Sequence, residues 1–159
     1  MRTPRGKEYL PNERIYSSGF AEQGRSDVVL IEVISVADRE VLKLVFESTN
    51  SPWRQGVWLA TDQVVVINNV KCPSAELWYD TAPREVLIQC RTEENILWLY
   101  NIWDAGNGRQ SQAWTSGMLV EELANGWRYR CNDIGFDTNF DKLVFRLERT
   151  GRPGKRSAG

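Results

Sequence analysis

The densest run of oxygen ligands in the chain is Asn132-Asp133-Ile134-Gly135-Phe136-Asp137-Thr138-Asn139-Phe140-Asp141. Carboxylate and amide oxygens at alternating positions are what a hard cation such as calcium takes. Asp137, Asn139, Asp141 and Glu148 fall at the first, third, fifth and twelfth places of a helix-flanked calcium loop. The pattern then breaks. Lys142 stands where that loop needs glycine for its sharp turn, and residues 143–147 alternate as a strand. The metal candidate is therefore a looser set, Asp133, Asp137, Asn139 and Asp141, and calcium is the only cofactor the sequence suggests. Asn and Asp also cap turns through their own backbone. That plainer role is the favoured one here, so the chain is expected to carry no cofactor.

The second group with chemistry to offer is aromatic. The chain has 7 Trp. Trp98 lies mid-strand and belongs to a core, and Trp78 and Trp127 are placed with it. Trp53 lies in a proline-containing loop and Trp103 ends a strand beside a glycine-rich turn, while Trp58 and Trp114 fit either role. Aromatic platforms beside polar loops bind sugar rings or partner proteins. Trp53, Trp58, Trp103 and Trp114 are thus the ligand-binding candidates.

Histidine is absent. That excludes Ser-His and Cys-His nucleophiles, a histidine general base, and most zinc sites. Carboxylate chemistry survives, with Glu121 or Glu122 opposite Asp104 as the pair to consider. Gly106-Asn107-Gly108 has no following helix and no lysine, so it reads as a turn rather than a phosphate cradle. No catalytic residue is assigned. Gly56-Val57-Trp58 is similar to the Gly-x-Trp string on the first strand of lipocalin-like barrels, but strands precede it here and it assigns no family.

The elements that must hold these residues are strands. Residues 127–131 and 142–148 alternate apolar and polar with period two on either side of the acidic loop. Residues 28–36 and 96–103 are apolar on both faces, as strands covered on both sides are. Hairpins are expected between 28–36 and 41–47, between 56–60 and 63–70, and between 76–80 and 85–91. A fourth turns on Asn125-Gly126, the strongest short-range turn signal in the chain. Gly117 marks a bend. About ten strands and no helix make an all-β fold, an antiparallel β-sandwich or barrel. The two-faced strands call for something over the second face, such as a loop, a ligand or a second copy in a homodimer.

The 159 residues suit one domain. Residues 1–14 read as a flexible basic tail, 15–148 as the domain, and 149–159 as a second basic tail with disordered character. The tails carry +2 and +4 within a whole-chain charge of −1, so the body is acidic at −7. An acidic body does not suit nucleic acid, and no apolar run is long enough to cross a membrane. Three widely spaced cysteines, with no apolar leader at the start, imply free thiols and a cytoplasmic setting. The expected function is a non-catalytic binding module that recognises a protein partner or a carbohydrate through exposed aromatics. A lipocalin-like small-molecule carrier and a carboxylate-based hydrolase are the alternatives.

Overall fold

The computed structural model describes Lys7 and residues 9–153, with only the backbone of residues 152 and 153. The described residues form thirteen strands: β1 (Ile15–Tyr16), β2 (Val29–Ser35), β3 (Glu40–Thr49), β4 (Arg54–Thr61), β5 (Val64–Ile67), β6 (Val70–Cys72), β7 (Ala75–Trp78), β8 (Glu85–Arg91), β9 (Ile96–Asp104), β10 (Arg109–Ser111), β11 (Gly117–Leu123), β12 (Gly126–Asn132) and β13 (Leu143–Pro153). A single 3-10 turn, Ala21–Gln23, is their one helical element.

Every strand pairing is antiparallel, and eleven strands follow one path, β6-β5-β8-β3-β13-β12-β11-β2-β9-β4-β7. The sheet curls into a nearly closed barrel. β2 is the hinge of the curl: it meets β11 at Val29 and then passes to β9 from Glu32 to Ser35. Gly117 permits the crossing. It has φ +141°, and a side chain there would sit 2.8 Å from the Val29 carbonyl oxygen.

Turn chemistry explains which hairpins form. Asn125-Gly126 does pair β11 with β12, Leu123 opposite Gly126. β12 and β13 pair across the acidic loop, from Gly126↔Glu148 to Cys131↔Leu143. The other three expected hairpins do not form. β2 and β3 take different neighbours, as do β4 and β5, and β7 and β8. The short connections there are corners between the two sides of the barrel. Asp62 shows why the second is a corner. Its buried carboxylate accepts from the Thr92 hydroxyl and from the Glu93 and Glu94 amides, tying the turn to the start of β9 rather than closing a ladder. A hairpin the sequence reading missed joins β5 to β6. Asn68 and Asn69, both at positive φ, make its two-residue turn.

Side chains alternate about this wall. Leu42, Leu44, Phe46, Val57, Leu59, Leu97, Leu99, Tyr129, Phe145 and Leu147 point inward and form one core. Each large aliphatic side chain buried this way stabilises the fold by roughly 1.5–3 kcal/mol. Leu30, in the two-faced run of residues 28–36, is only half-buried. Glu32 is the fully buried residue two places on.

The second face of β9 and β4 carries Trp58, Ala60, Trp98, Tyr100 and Ile102, with Trp78 and Leu10 packed among them. The chain's own N-terminal segment covers it. The Lys7 ammonium donates to the carbonyls of Thr61 and Pro73 at 2.7 and 2.6 Å. Trp98 Nε1–H donates to the Pro11 carbonyl at 2.7 Å. Arg14 pairs with buried Glu32 through Nε and Nη2, at 2.7 and 2.8 Å, and the Tyr129 hydroxyl donates to the same carboxylate at 2.9 Å. Lys7 and Leu10, read from sequence as part of a flexible tail, are thus buried, because the aromatic face needs their cover. At the other end, β13 runs on through residues 149–153, where a tail was expected to begin. The remaining parts of both expected tails, residues 1–6, 8 and 154–159, lie outside the described residues.

Candidate functional site

Three connections meet at one end of the barrel: residues 17–28, 112–116 and 133–142. They are anchored on a polar base. Asn132 is fully buried, and its Nδ2 donates to the carbonyls of Thr115 and Gly135 at 2.7 and 2.8 Å. The Gly135 amide donates to Thr115 Oγ1 at 2.7 Å, and Asn101 donates to the Asn132 carbonyl at 3.0 Å. Ser17 Oγ donates to the Trp114 carbonyl at 3.3 Å. Gly19 lies so close to that carbonyl that a side chain at residue 19 would collide with it. Hydrogen bonds among buried polar groups hold loops in one arrangement, although Asn132 Oδ1 itself is buried without a partner.

The base carries an aromatic cluster. Phe20 and Phe140 are 3% and 4% exposed, with ring centroids 5.4 Å apart. Phe136 sets its edge against Phe20 at 5.7 Å and is half exposed. Phe140 takes φ +54°, uncommon for a bulky side chain, and the Thr138 hydroxyl accepts its amide at 2.9 Å. The Arg25 guanidinium lies 5.3 Å from the Phe140 ring centroid. Together Phe20, Phe136, Phe140 and Leu119 form the apolar part of an open cleft of about 350 Å³. Gln23, Arg25, Thr138 and Asn139 supply its polar groups. Ile134 and Trp114 stand exposed on the same stitched loops.

The acidic residues of the third loop separate. Asp133 is 3% exposed and turns inward, where Oδ2 accepts from Ser51 Oγ and Gln55 Nε2, both at 2.9 Å, and Oδ1 accepts from the Ile134 amide. Asp141 accepts from Asn50 Nδ2 at 2.8 Å. Asp137 and Asn139 are exposed, and Asn139 borders the cleft. Among the described residues, no three carboxylates or thiols are grouped to share an ion. The sequence pattern supplied oxygen atoms, but the fold spends two of the carboxylates on anchoring the loop.

The four tryptophan candidates are not brought together as a platform. Trp103 is wholly buried, its Nε1–H donating to Gln110 Oε1 at 3.1 Å. Its strand continues past it into the β9–β10 hairpin, so its ring has no path to solvent. Trp58 is stacked on Tyr100 at 4.6 Å and is 6% exposed. Trp53 is half-buried. Trp114 is 66% exposed and adjoins the cleft's loops. The residues that sequence reasoning missed are Phe20, Arg25, Phe136 and Phe140. Two of them carried a readable signal: Phe136 and Phe140 sit in a loop of Gly, Asn and Asp, where no strand alternation gives their rings a core to enter.

Other reactive groups are engaged elsewhere. Asp104 Oδ1 accepts from the Gly106 and Gly108 amides, capping its turn. Glu121 pairs with Arg128 at 3.2 Å. Burial pushes the Cys90 thiol up to about 12 and the Cys131 thiol well above its ordinary range, so both stay protonated at neutral pH.

No family model matches the chain, and no curated protein matches it. Among solved structures it overlaps a lectin of Chromobacterium violaceum, solved in complex with alpha-methyl-fucoside. The TM-score is 0.42 and the identity 13%, over 72% of this chain and 92% of the lectin chain. An overlap that loose aligns no site residue between the two.

Proposed function

We propose that this chain is a non-catalytic binding module and that its ligand is a carbohydrate held at the loop end of the barrel. One observation carries the reading: an open cleft of about 350 Å³ has aromatic walls and an amide-, hydroxyl- and guanidinium-bearing rim. Pockets for small ligands combine apolar walls with a few placed polar groups in this size range. A sugar ring offers an apolar C–H face to Phe136 and hydroxyls to Gln23, Thr138 and Asn139, whose donors and acceptors suit both roles of a hydroxyl. The polar base beneath the loops supports a preformed site, which lowers the cost of binding.

A protein partner is the second reading. Trp114, Ile134 and Phe136 are exposed on neighbouring loops, the kind of apolar group that dominates interface energetics. The carrier alternative finds less support. Tyr129 and Phe145, which would line a barrel cavity, stack on each other at 4.9 Å. Three unpaired thiols support a reducing compartment. No helix among the described residues is long and apolar enough to cross a membrane. The homodimer expectation loses its motive, since the chain covers its own second face.

A glycan array tests the reading, followed by titration of the best glycan against the native chain and Phe136→Ala. The expected result is saturable binding that Phe136→Ala weakens at least tenfold while the circular dichroism spectrum stays unchanged. Full binding by Phe136→Ala would reject the cleft. No binding to any glycan, with Trp114→Ala losing a protein captured from lysate, would favour the second reading.

A further inference from the structure

We infer that the sugar this cleft takes bears a single carboxylate, as a uronic acid does, and that Arg25 is the group that selects it. The inference rests on the proposed carbohydrate reading and refines its ligand class. Eight residues line the cleft, and Arg25 is the only one with a charge; the others are Phe20, Gln23, Leu119, Phe136, Thr138, Asn139 and Phe140. The Arg25 side chain is 40% exposed, and its Nη1 is sheltered from solvent without a hydrogen-bond partner. Nη1 faces the protein, so a ligand oxygen would meet the exposed remainder of the guanidinium, Nε and Nη2, which donate no hydrogen bond to a described residue. Asp27 accepts from neither. Its Oδ1 stands 3.6 Å from Arg25 Nε, beyond hydrogen-bond distance, and its side chain is 64% exposed.

Arg14, Arg54, Arg128 and Arg146 each hold a carboxylate at 3.2 Å or closer. Arg91 shares the looser state of Arg25, its buried Nε without a hydrogen-bond partner and 3.7 Å from Asp38 Oδ1, but it does not line the cleft. Arg25 lies over the Phe140 ring, 5.3 Å from its centroid, which positions the group without consuming its donors. Among the described residues no hydrogen bond holds the guanidinium, and Nε meets Asp27 only as a 3.6 Å ion pair. A planar fork matches a carboxylate through two parallel hydrogen bonds, which a neutral hydroxymethyl group cannot make.

The surroundings limit how much charge the ligand carries. Glu22 and Asp137 are exposed beside lining residues in sequence, and exposed Asp27 stands 3.6 Å from Arg25 Nε. They repel a dense polyanion while a single carboxylate on Arg25 is tolerated, and this repulsion is screened by salt.

The experiment compares matched methyl glycosides on the full chain by calorimetry: glucose with glucuronic acid, galactose with galacturonic acid, and the 6-sulfate of each hexose. The expected result is at least tenfold tighter binding of one uronate than of its neutral and sulfated counterparts. Arg25→Gln should abolish that preference, bringing the affinity for the uronate down to that for the neutral sugar. Arg25→Lys should keep only part of the preference, because it retains the charge and loses the fork. Equal binding of the neutral sugar and the uronate by the native chain would overturn the inference while leaving the carbohydrate reading in place. Tighter binding of the sulfate would overturn it as well. Binding of none of the six would overturn both. If Arg25→Gln loses its native circular dichroism spectrum, the Arg25→Lys comparison decides: an undiminished preference there overturns the role of the fork.

Discussion

On the outer face of β4 and β9, Trp58, Trp98 and Tyr100 are 6%, 2% and 3% exposed; at the loop end, Phe136 and Trp114 are 50% and 66% exposed. Both regions are aromatic, and both lie outside the barrel's inner core. They differ in what covers them. Over the strands lies a segment of the chain itself, held by Lys7, by the Pro11 carbonyl and by Arg14. Over the loops lies nothing from the described chain, although the base beneath them is tied by hydrogen bonds through Asn132, Thr115 and Asp133. The contrast separates rings that stabilise the fold from rings that are free to meet a ligand.

The largest expected effects fall on the covered side. Trp98→Ala removes a ring that is 2% exposed and should cost roughly 3–5 kcal/mol in denaturant unfolding. A cost near zero would mean that the face is open like the loop end. Arg14→Ala leaves the wholly buried Glu32 carboxylate with the Tyr129 hydroxyl and the Val33 amide but no cation, and should cost about 3–5 kcal/mol. Adding Glu32→Gln to that variant should restore part of the loss, because it removes the stranded charge. If the double variant is no more stable than the single, the cover is held by packing and not by the ion pair.

Smaller effects are expected on the open side. Phe136→Ala should change stability by less than about 1 kcal/mol, since half of the ring is already in water. A larger loss would make Phe136 a structural residue like Trp98. A thermal melt in millimolar calcium against chelator should leave the midpoint where it was, because Asp133 and Asp141 are already occupied by Ser51, Gln55 and Asn50. An upward shift would restore the cation site at this end.

The smallest effect lies on the outer wall of β3, β12 and β13. Burial opposes ionisation of Glu47, but hydrogen bonds from Arg146 and Arg128 outweigh it and hold the carboxyl below its usual range. Its contribution is therefore complete above the ordinary carboxylate range and is lost as pH falls through the lowered folded value. Glu47→Gln should cost about 1 kcal/mol or less at neutral pH and converge with the native chain in acid. A difference that persists in acid would assign the effect to packing.

Much of the site lay beyond the sequence for reasons that these residues make plain. Asp133, Asp137, Asn139 and Asp141 presented the chemistry of a cation loop, yet spacing does not say which way a carboxylate turns. Asp133 turned inward because Gln55 and Ser51, some eighty residues away, needed an acceptor. Arg25 read as part of a polar loop and Phe20 as the end of an edge strand, but β1 stops at Tyr16 and both residues meet the loop of residues 133–142. Trp103 looked like a rim residue because it stands next to glycines, but the pairing of β9 with β10 carries the wall past it.

The sequence alone determined the all-β class, the pairing of β11 with β12 at Asn125-Gly126, the pairing of β12 with β13, and the inward faces of Tyr129, Phe145 and Leu147. It also excluded histidine chemistry. Period-two alternation and turn residues are local properties, legible within a few positions. The tertiary structure decided which strands lie side by side, and it refused three hairpins of adjacent strands in favour of corners. It decided that Lys7 and residues 9–16 cover the apolar second face, and it gathered Phe20, Arg25, Phe136 and Phe140 into one cleft. Those outcomes depend on contacts between residues scores of positions apart, where burial and hydrogen-bond satisfaction are balanced over the whole barrel and leave no local pattern to read.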